Sequence, residues 1–238
     1  MTYNRQQTKL VDCTPPKRSG DHAYRELLIV EGDSASRSVV RVRDASFQAV
    51  LPMQGKPMNA YKATSSAIRR NPWFTALMDA LDVGWQCERI SDLRYQRILF
   101  LFDPDADGIH CGALMLIFFD RYLRPILDAN QVSLIKPPLY EITARGYDEK
   151  VQAFSDEHLR RIESSLDKKG IGHTHHRYRG LASINPNVLR EYCVDPESRT
   201  ALLMGHDDAV AAVNAFGGSN RRVSCGGSDS SRLMKHRD

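Results

Sequence analysis

The sequence predicts an α/β fold, a mostly parallel, Rossmann-like sheet with helices on both faces, followed by a small helical C-terminal appendage. Two short apolar runs end abruptly in acid: Glu26–Asp33, ELLIVEGD, and Ile98–His110, ILFLFDPDADGIH. Runs of this length and composition read as strands buried on both faces. Between and beyond them, further apolar runs alternate with helical patterns. That alternation implies parallel strands joined by helical crossovers.

Residues 1–25 are polar, carry Pro15, Pro16 and Gly20, and read as an irregular leader. A strand over 26–31 turns at Gly32, and Asp33 or Ser34 can cap a helix running to about Asp44. Gln48–Met53 is a second strand, closed by Gly55 and Pro57. Helical patterns follow over 59–69 and 72–81; for the second, Asn71 is the cap and Pro72 the first helical residue. Residues 97–102 form a third strand, 109–128 a strongly apolar helix, and 131–135 a fourth strand ended by Pro137 and Pro138. These elements set a first domain at 26–147.

Beyond Tyr147 the texture changes, and 148–216 reads as the helical appendage. Residues 155–169 form an amphipathic helix with acids early, lysines late and Gly170 as its stop. Asn185-Pro186 and Asp195-Pro196 each place a capping side chain before a first-turn proline, so two more helices are expected there. Residues 217–238 gather Arg221, Arg222, Arg232, Lys235 and Arg237 among Gly and Ser. This stretch reads as a disordered basic tail, either solvated or brushing a polyanion.

Composition narrows the classes. A formal charge of +4 is too mild for a polybasic protein. The five cysteines form no C-x-x-C pair, so neither a disulfide framework nor a zinc site is expected and a reducing interior fits. The first ten residues lack an apolar signal core, and the longest apolar run, 113–119, is far short of a membrane span. A cytoplasmic protein with no membrane partner is expected.

The chemistry lies at the two acid-tipped strand ends. In open α/β sheets, ligands collect outside the carboxyl ends of the strands. Glu31, Asp103, Asp105 and Asp107 gathered there would repel one another unless a cation or proton intervened, which points to a magnesium site. The spacing D-x-D-x-D-G also matches the opening of an EF-hand loop. That motif needs a glutamate at its twelfth position, where this chain has Leu114 inside an apolar helix, so the calcium-loop reading fails. If the chain stays extended past the strand, alternate residues put Asp103, Asp105 and Asp107 on one side. Magnesium takes one or two carboxylates, keeps waters and uses phosphate oxygens, which suits phosphoryl transfer. The bland alternative is a solvated acidic loop at a domain edge.

This pair of motifs resembles the TOPRIM domain, and its flanks resemble the B subunit of type IIA topoisomerases, DNA gyrase and topoisomerase IV. The flanking blocks are Lys9–Cys13, Glu31–Ala35, Leu51–Lys56 with Asn59, Asp107–His110, Pro137–Tyr140, Tyr178–Leu181, Asn185-Pro186 and Asp195–Arg199, collinear from about residue 9 to 222. The resemblance implies that Glu31, Asp103 and Asp105 are the principal site residues, with Asp107 a secondary contributor. They would hold Mg2+, with Mn2+ or Ca2+ able to substitute in binding, beside a scissile phosphate of duplex DNA. A tyrosine of an A-type subunit would attack, and Glu31 would act as general acid or base. Lys56, His110, Arg179 and Arg37 stand as expected DNA contacts, each against the plain reading of a surface cation or a helix cap.

The chain departs from the family pattern in places. Ser36 and Arg37 stand where two glycines are usual, Gln54 replaces a lysine, Pro104 stiffens the D-x-D segment, and Gly180-Leu181-Ala182-Ser183 stands for GLGE. No ATPase pattern and no tyrosine module are legible, so a separate ATPase subunit is a further expected partner. Three functions are expected: a stand-alone TOPRIM subunit of a cleavage–religation enzyme, nucleoid-associated; a non-catalytic regulator or decoy that docks on DNA or on the A-type subunit; and a metal-dependent nuclease.

Overall fold

The computed structural model describes residues 9–14, 24–85 and 90–216. Five strands form one sheet in the order β2-β1-β3-β4-β8: β1 (Glu26–Glu31), β2 (Gln48–Met53), β3 (Arg97–Leu101), β4 (Val132–Ile135) and β8 (Ala201–Met204). The first four are parallel and β8 closes the far edge antiparallel to β4. Alternation along β1 and β3 divides the core between the two faces of the sheet. Leu27, Ile29, Ile98 and Phe100 pack against α3 (Pro72–Leu81), α4 (Ala106–Tyr122) and α8 (His206–Phe216). Leu28, Val30, Leu99 and Leu101 pack on the opposite face with Ala35 and Val39 of α1 (Gly32–Val42) and Leu189 of α7 (Pro186–Leu189). Helices on both faces explain why both strands read as continuous apolar runs.

Local departures from expectation have local causes. Helix α1 starts at Gly32, whose φ of 75° lets the chain turn directly off the strand, so Glu31 occupies the cap position and provides no capping side chain. Neither Asp33 nor Ser34 is the cap, and the helix ends at Val42 rather than Asp44. The 59–69 helix shrinks to α2 (Ser65–Arg70), because Asn59 instead closes a turn by accepting from the Tyr61 and Lys62 amides. Asn71 caps α3 as expected, accepting from the Trp73 and Phe74 amides. Helix α4 starts three residues earlier than predicted, and Leu123 separates it from α5 (Arg124–Asp128), which carries Pro125 in its first turn. The expected leader is partly ordered in place: Val11 bridges Val50 antiparallel along the β2 edge. The expected leader's other segments, 1–8 and 15–23, and the expected tail at 217–238 lie outside the described residues.

The segment after Pro138 is not purely helical. Strands β5 (Tyr140–Ala144), β6 (Val151–Ala153) and β7 (His173–Arg177) make a separate antiparallel sheet in the order β6-β5-β7. Helix α6 (Asp156–Lys168) covers it, with Ser155 as cap. Leu139, Tyr140, Ile142, Ala153 and Leu159 form its own small core. The expected 147/148 boundary therefore falls inside this subdomain, and the chain returns to the main sheet through β8 and α8. Asn185 does start α7, which runs on as a π-helical turn over Arg190–Val194. Asp195-Pro196 gives only a turn, because Arg199 there is drawn inward to Glu26 at the base of β1. Both side chains are almost fully buried, 2% and 3% exposed.

Candidate metal and nucleic-acid site at the strand ends

Parallel register brings the two acidic motifs together. Val30 lies opposite Leu101, so Glu31 at the end of β1 and Asp103 just past β3 emerge at the same edge of the sheet. The chain does not stay extended past β3, so the same-side array of three aspartates does not form. Asp105 instead caps α4, accepting from the Gly108 amide at 2.9 Å, which uses one carboxylate oxygen. Asp107 lies within the first turn of α4, where its carboxylate meets Lys56 Nζ at 2.7 Å.

Glu31 is the member with an unpartnered oxygen: its Oε2 is buried without a hydrogen-bond partner. Burial, then the charges of Asp103, Asp105 and Asp107, push its pKa above the ordinary carboxylate range, against a smaller opposing pull from Lys56. Mutual electrostatic influence of this kind places all four carboxylates in one neighbourhood. Burial likewise raises Asp103, partly offset by the Leu181 amide, which donates to its Oδ1 at 2.8 Å. Asp107 is held low by Lys56.

The loop after β7 forms a seat for Asp103. A Cβ built on Gly180 would stand 2.6 Å from Asp103 Oδ2 and 3.0 Å from its Cγ. Only a residue without a side chain lets this carboxylate sit where it does. Ser183 fixes the turn, its hydroxyl donating to the Gly180 carbonyl and accepting from the Arg179 amide. Sequence reasoning gives no role to Gly180 or Leu181, although both lie in one of the family-like blocks. It also misses Phe216, whose ring stacks on His110 at 4.7 Å while its carbonyl accepts from Asn59.

The expected cationic residues are placed less uniformly. Lys56 and His110 adjoin the acids and approach each other at 3.3 Å. Arg179 is exposed beside the Asp103 seat. Arg37 is exposed on α1, and its charge is felt at Asp33, whose carboxylate is held by Lys9 at 2.6 Å and Gln54 at 3.0 Å. The Gln54 that stands for a lysine thus still serves this acid, as an amide donor.

Among the described residues no three His, Cys, Asp or Glu side chains close into a ready-made ligand set. Magnesium does not need one, since it uses one or two carboxylates and keeps waters. The orphaned Glu31 oxygen, the partly buried Asp103 and the second oxygen of Asp105 fit such a hard cation by donor type and by uncompensated charge.

The parallel sheet and its strand-end acids fit a Toprim domain, and residues 26–135 match the family model for the Toprim domain. Over most of its length it is similar to the B subunits of gyrases and topoisomerases 4. It is 37% identical over 209 residues to the DNA gyrase B subunit of Archaeoglobus fulgidus, covering 87% of this chain and 32% of the relative. It is 39% identical over 212 residues to the DNA gyrase B subunit of Halalkalibacterium halodurans, covering 87% and 32%. It is 39% identical over 198 residues to the DNA topoisomerase 4 B subunit of Bacillus subtilis, covering 82% and 30%. The chain spans about a third of the length of these relatives. Among the described residues no helix is long and apolar enough to cross a membrane.

Proposed function

We propose that this chain supplies the metal-binding carboxylate half of a type IIA topoisomerase cleavage–religation site. Its substrate is duplex DNA, its partner a tyrosine-bearing A-type subunit, and its compartment the cytoplasm, at the nucleoid. The observation that carries this reading is Glu31: a half-buried carboxylate with an unpartnered oxygen, pushed upward in pKa by burial and by Asp103, Asp105 and Asp107. Such a cluster gains most when a divalent cation and a phosphate replace proton and water.

Glu31, Asp103 and Asp105 are the residues that would hold Mg2+. When bound, the ion supplies charge stabilisation at the attacked phosphate and the leaving oxygen. Where Asp103 and Asp105 carry the ion, Glu31 is free to pass a proton to the leaving oxygen and to accept it again on resealing. Asp103 is held in place by Gly180 and Leu181. Lys56 leaves Asp107 for a phosphate oxygen, an exchange in which one anion replaces another, and His110, Arg179 and Arg37 add phosphate contacts.

The test is reconstitution with an A-type subunit on supercoiled plasmid. The unaltered chain is expected to give divalent-dependent double-strand breaks with protein covalently attached, and Glu31→Gln or Asp103→Asn to abolish them while the fold is kept. Normal cutting by those variants overturns the assignment. Protein-free ends would identify a nuclease, and inhibition of a native topoisomerase by the neutralised variants a decoy.

A further inference from the structure

We propose that the outer face of α6 is a second contact surface for duplex DNA, engaging phosphates outside the cleavage site. This rests on the DNA-directed reading above but concerns residues it does not use.

Arg160, Arg161 and Lys168 are exposed and line one shallow surface with Glu157, Ser164 and Ser165. At about 100° per residue these positions share one side of the helix. Leu159, Ile162 and Leu166 occupy the other side and pack into the small core of the antiparallel sheet. The basic face is therefore not needed to hold the subdomain together. Among the described residues none of the three cations has a carboxylate within ion-pair distance, although Lys150 on the same subdomain is neutralised by Glu141 at 2.6 Å. Glu157 is the only acid lining this surface, so three cations face one acid there, while Asp156, Glu163 and Asp167 at its border are engaged by Tyr140, His175 and His173.

Spacing and position favour a nucleic-acid backbone. From Arg160 to Lys168 the helix rises roughly 12 Å, about the length of three to four base steps at about 3.4 Å each. Serines between the cations leave the face polar and low, suited to hydroxyl contacts with phosphate oxygens. Helix α6 also begins at the site's rim: Ser155 and Asp156 line the same groove, about 410 Å3, as Asp103, Pro104 and Ile109. A duplex seated on the strand-end acids thus has α6 within reach of its flanking segment. The Leu181 amide that holds Asp103 follows directly from β7 of this subdomain, so both surfaces belong to one connected structure.

The experiment is fluorescence-anisotropy titration of a labelled duplex in EDTA across salt concentrations, comparing the full chain with Arg160→Ala/Arg161→Ala/Lys168→Ala. Each lost phosphate contact removes about 0.9 from the slope of log K against log salt, so the triple variant should be shallower by about 2–3 and bind roughly ten- to a hundredfold more weakly at low salt. Its melting temperature should be unchanged, because the altered side chains face solvent. A slope equal to that of the unaltered chain overturns the inference, and so does absence of duplex binding by the unaltered chain. The two readings fail separately. Normal cleavage by Glu31→Gln would remove the site assignment and leave a shallower α6 slope standing, whereas lost cleavage beside an unchanged slope would do the reverse.

Discussion

Gly180→Ala isolates the link between the small subdomain and the carboxylate site. Gly180 is extended, with φ 162°, so alanine is tolerated by the backbone and the whole effect comes from contact. Its Cβ would press to 2.6 Å from Asp103 Oδ2 and 3.1 Å from Oδ1, with the Cγ between at 3.0 Å. Carboxylate and loop must separate by roughly 0.5 Å or more to regain ordinary contact. That movement breaks or stretches the 2.8 Å bond from the Leu181 amide. Hydrogen bonds to charged acceptors contribute about 1.5–3 kcal/mol, and the partial exposure of Asp103 places this one near the lower end. Loss of such a supporting partner lowers metal affinity about 10- to 100-fold. The Leu181 amide also pulls the Asp103 pKa down against burial, so its loss should raise that pKa further. Two assays read this without turnover: Mn2+ binding to the full chain by electron paramagnetic resonance, and carboxyl-carbon NMR titration of Asp103. Weaker Mn2+ binding together with an upward-shifted titration is expected. A variant that folds, binds Mn2+ as tightly as the unaltered chain and titrates at the same pH would refute the role given to this seat.

Two other outcomes follow from the same structure. Glu31 has a raised pKa in the fold, so between its unfolded and folded values the native state binds more protons, and stability falls as pH rises through that window. Glu31→Gln should therefore raise the melting temperature at neutral pH, the gain should vanish on acidification below the unfolded value, and added Mg2+ should stabilise the unaltered chain but not the variant; a gain that persists at low pH would contradict the charge-repulsion account. Arg199→Ala removes the buried partner of Glu26, which is 3% exposed and keeps Gln48 at 2.8 Å and the half-exposed Arg97 at 3.9 Å. Its cost in urea denaturation should be about 3–5 kcal/mol, with most of it recovered by Arg199→Met/Glu26→Leu; a cost within surface-mutation range would show that the pair is dispensable.

What can be read from the sequence is the part governed by short-range rules. The runs ELLIV and ILFLF mark the central strands because burial on both faces selects uninterrupted apolar residues. Asn71-Pro72 and Ser155 mark helix starts because cap chemistry is local. The antiparallel sheet escapes such rules because the strands flanking β5 carry no apolar alternation: β6 is three residues long, and β7 reads His-Thr-His-His-Arg and is mostly exposed. Strand β8 escapes them because three of its four residues are exposed and its pairing with β4 spans a long stretch of chain. At the site, Glu31 and Asp103 are legible as acids at strand ends. The cap role of Asp105 is not, since Asp105-x-x-Gly108 begins a helix just where an extended chain would keep alternating. Gly180 is recognisable as a seat only when a residue 77 positions away in sequence is seen against it.

The departures from the family-like pattern also become coherent when placed in three dimensions. Arg37 and Ser36 stand on α1, one turn from the strand end, but Ser36 is buried and only Arg37 faces outward. The replacement therefore changes the charge of the outer surface without altering the carboxylates. Lys9 and Gln54 both hold Asp33, so this acid is occupied and unavailable to the cluster. Asp107 is occupied by Lys56. What remains uncompensated is Glu31 with Asp103 and one oxygen of Asp105, the smallest set that still serves a cation with most of its waters. Asp33 and Asp107 are each paired with a lysine that a phosphate could claim. On the proposed reading, DNA and metal therefore help each other: a phosphate that draws Lys56 away frees Asp107, deepens the negative potential at Glu31 and strengthens the site for the ion. Lys56→Ala should then loosen DNA in the anisotropy titration while making Mn2+ affinity in the absence of DNA higher, not lower; an unchanged Mn2+ affinity would refute the coupling.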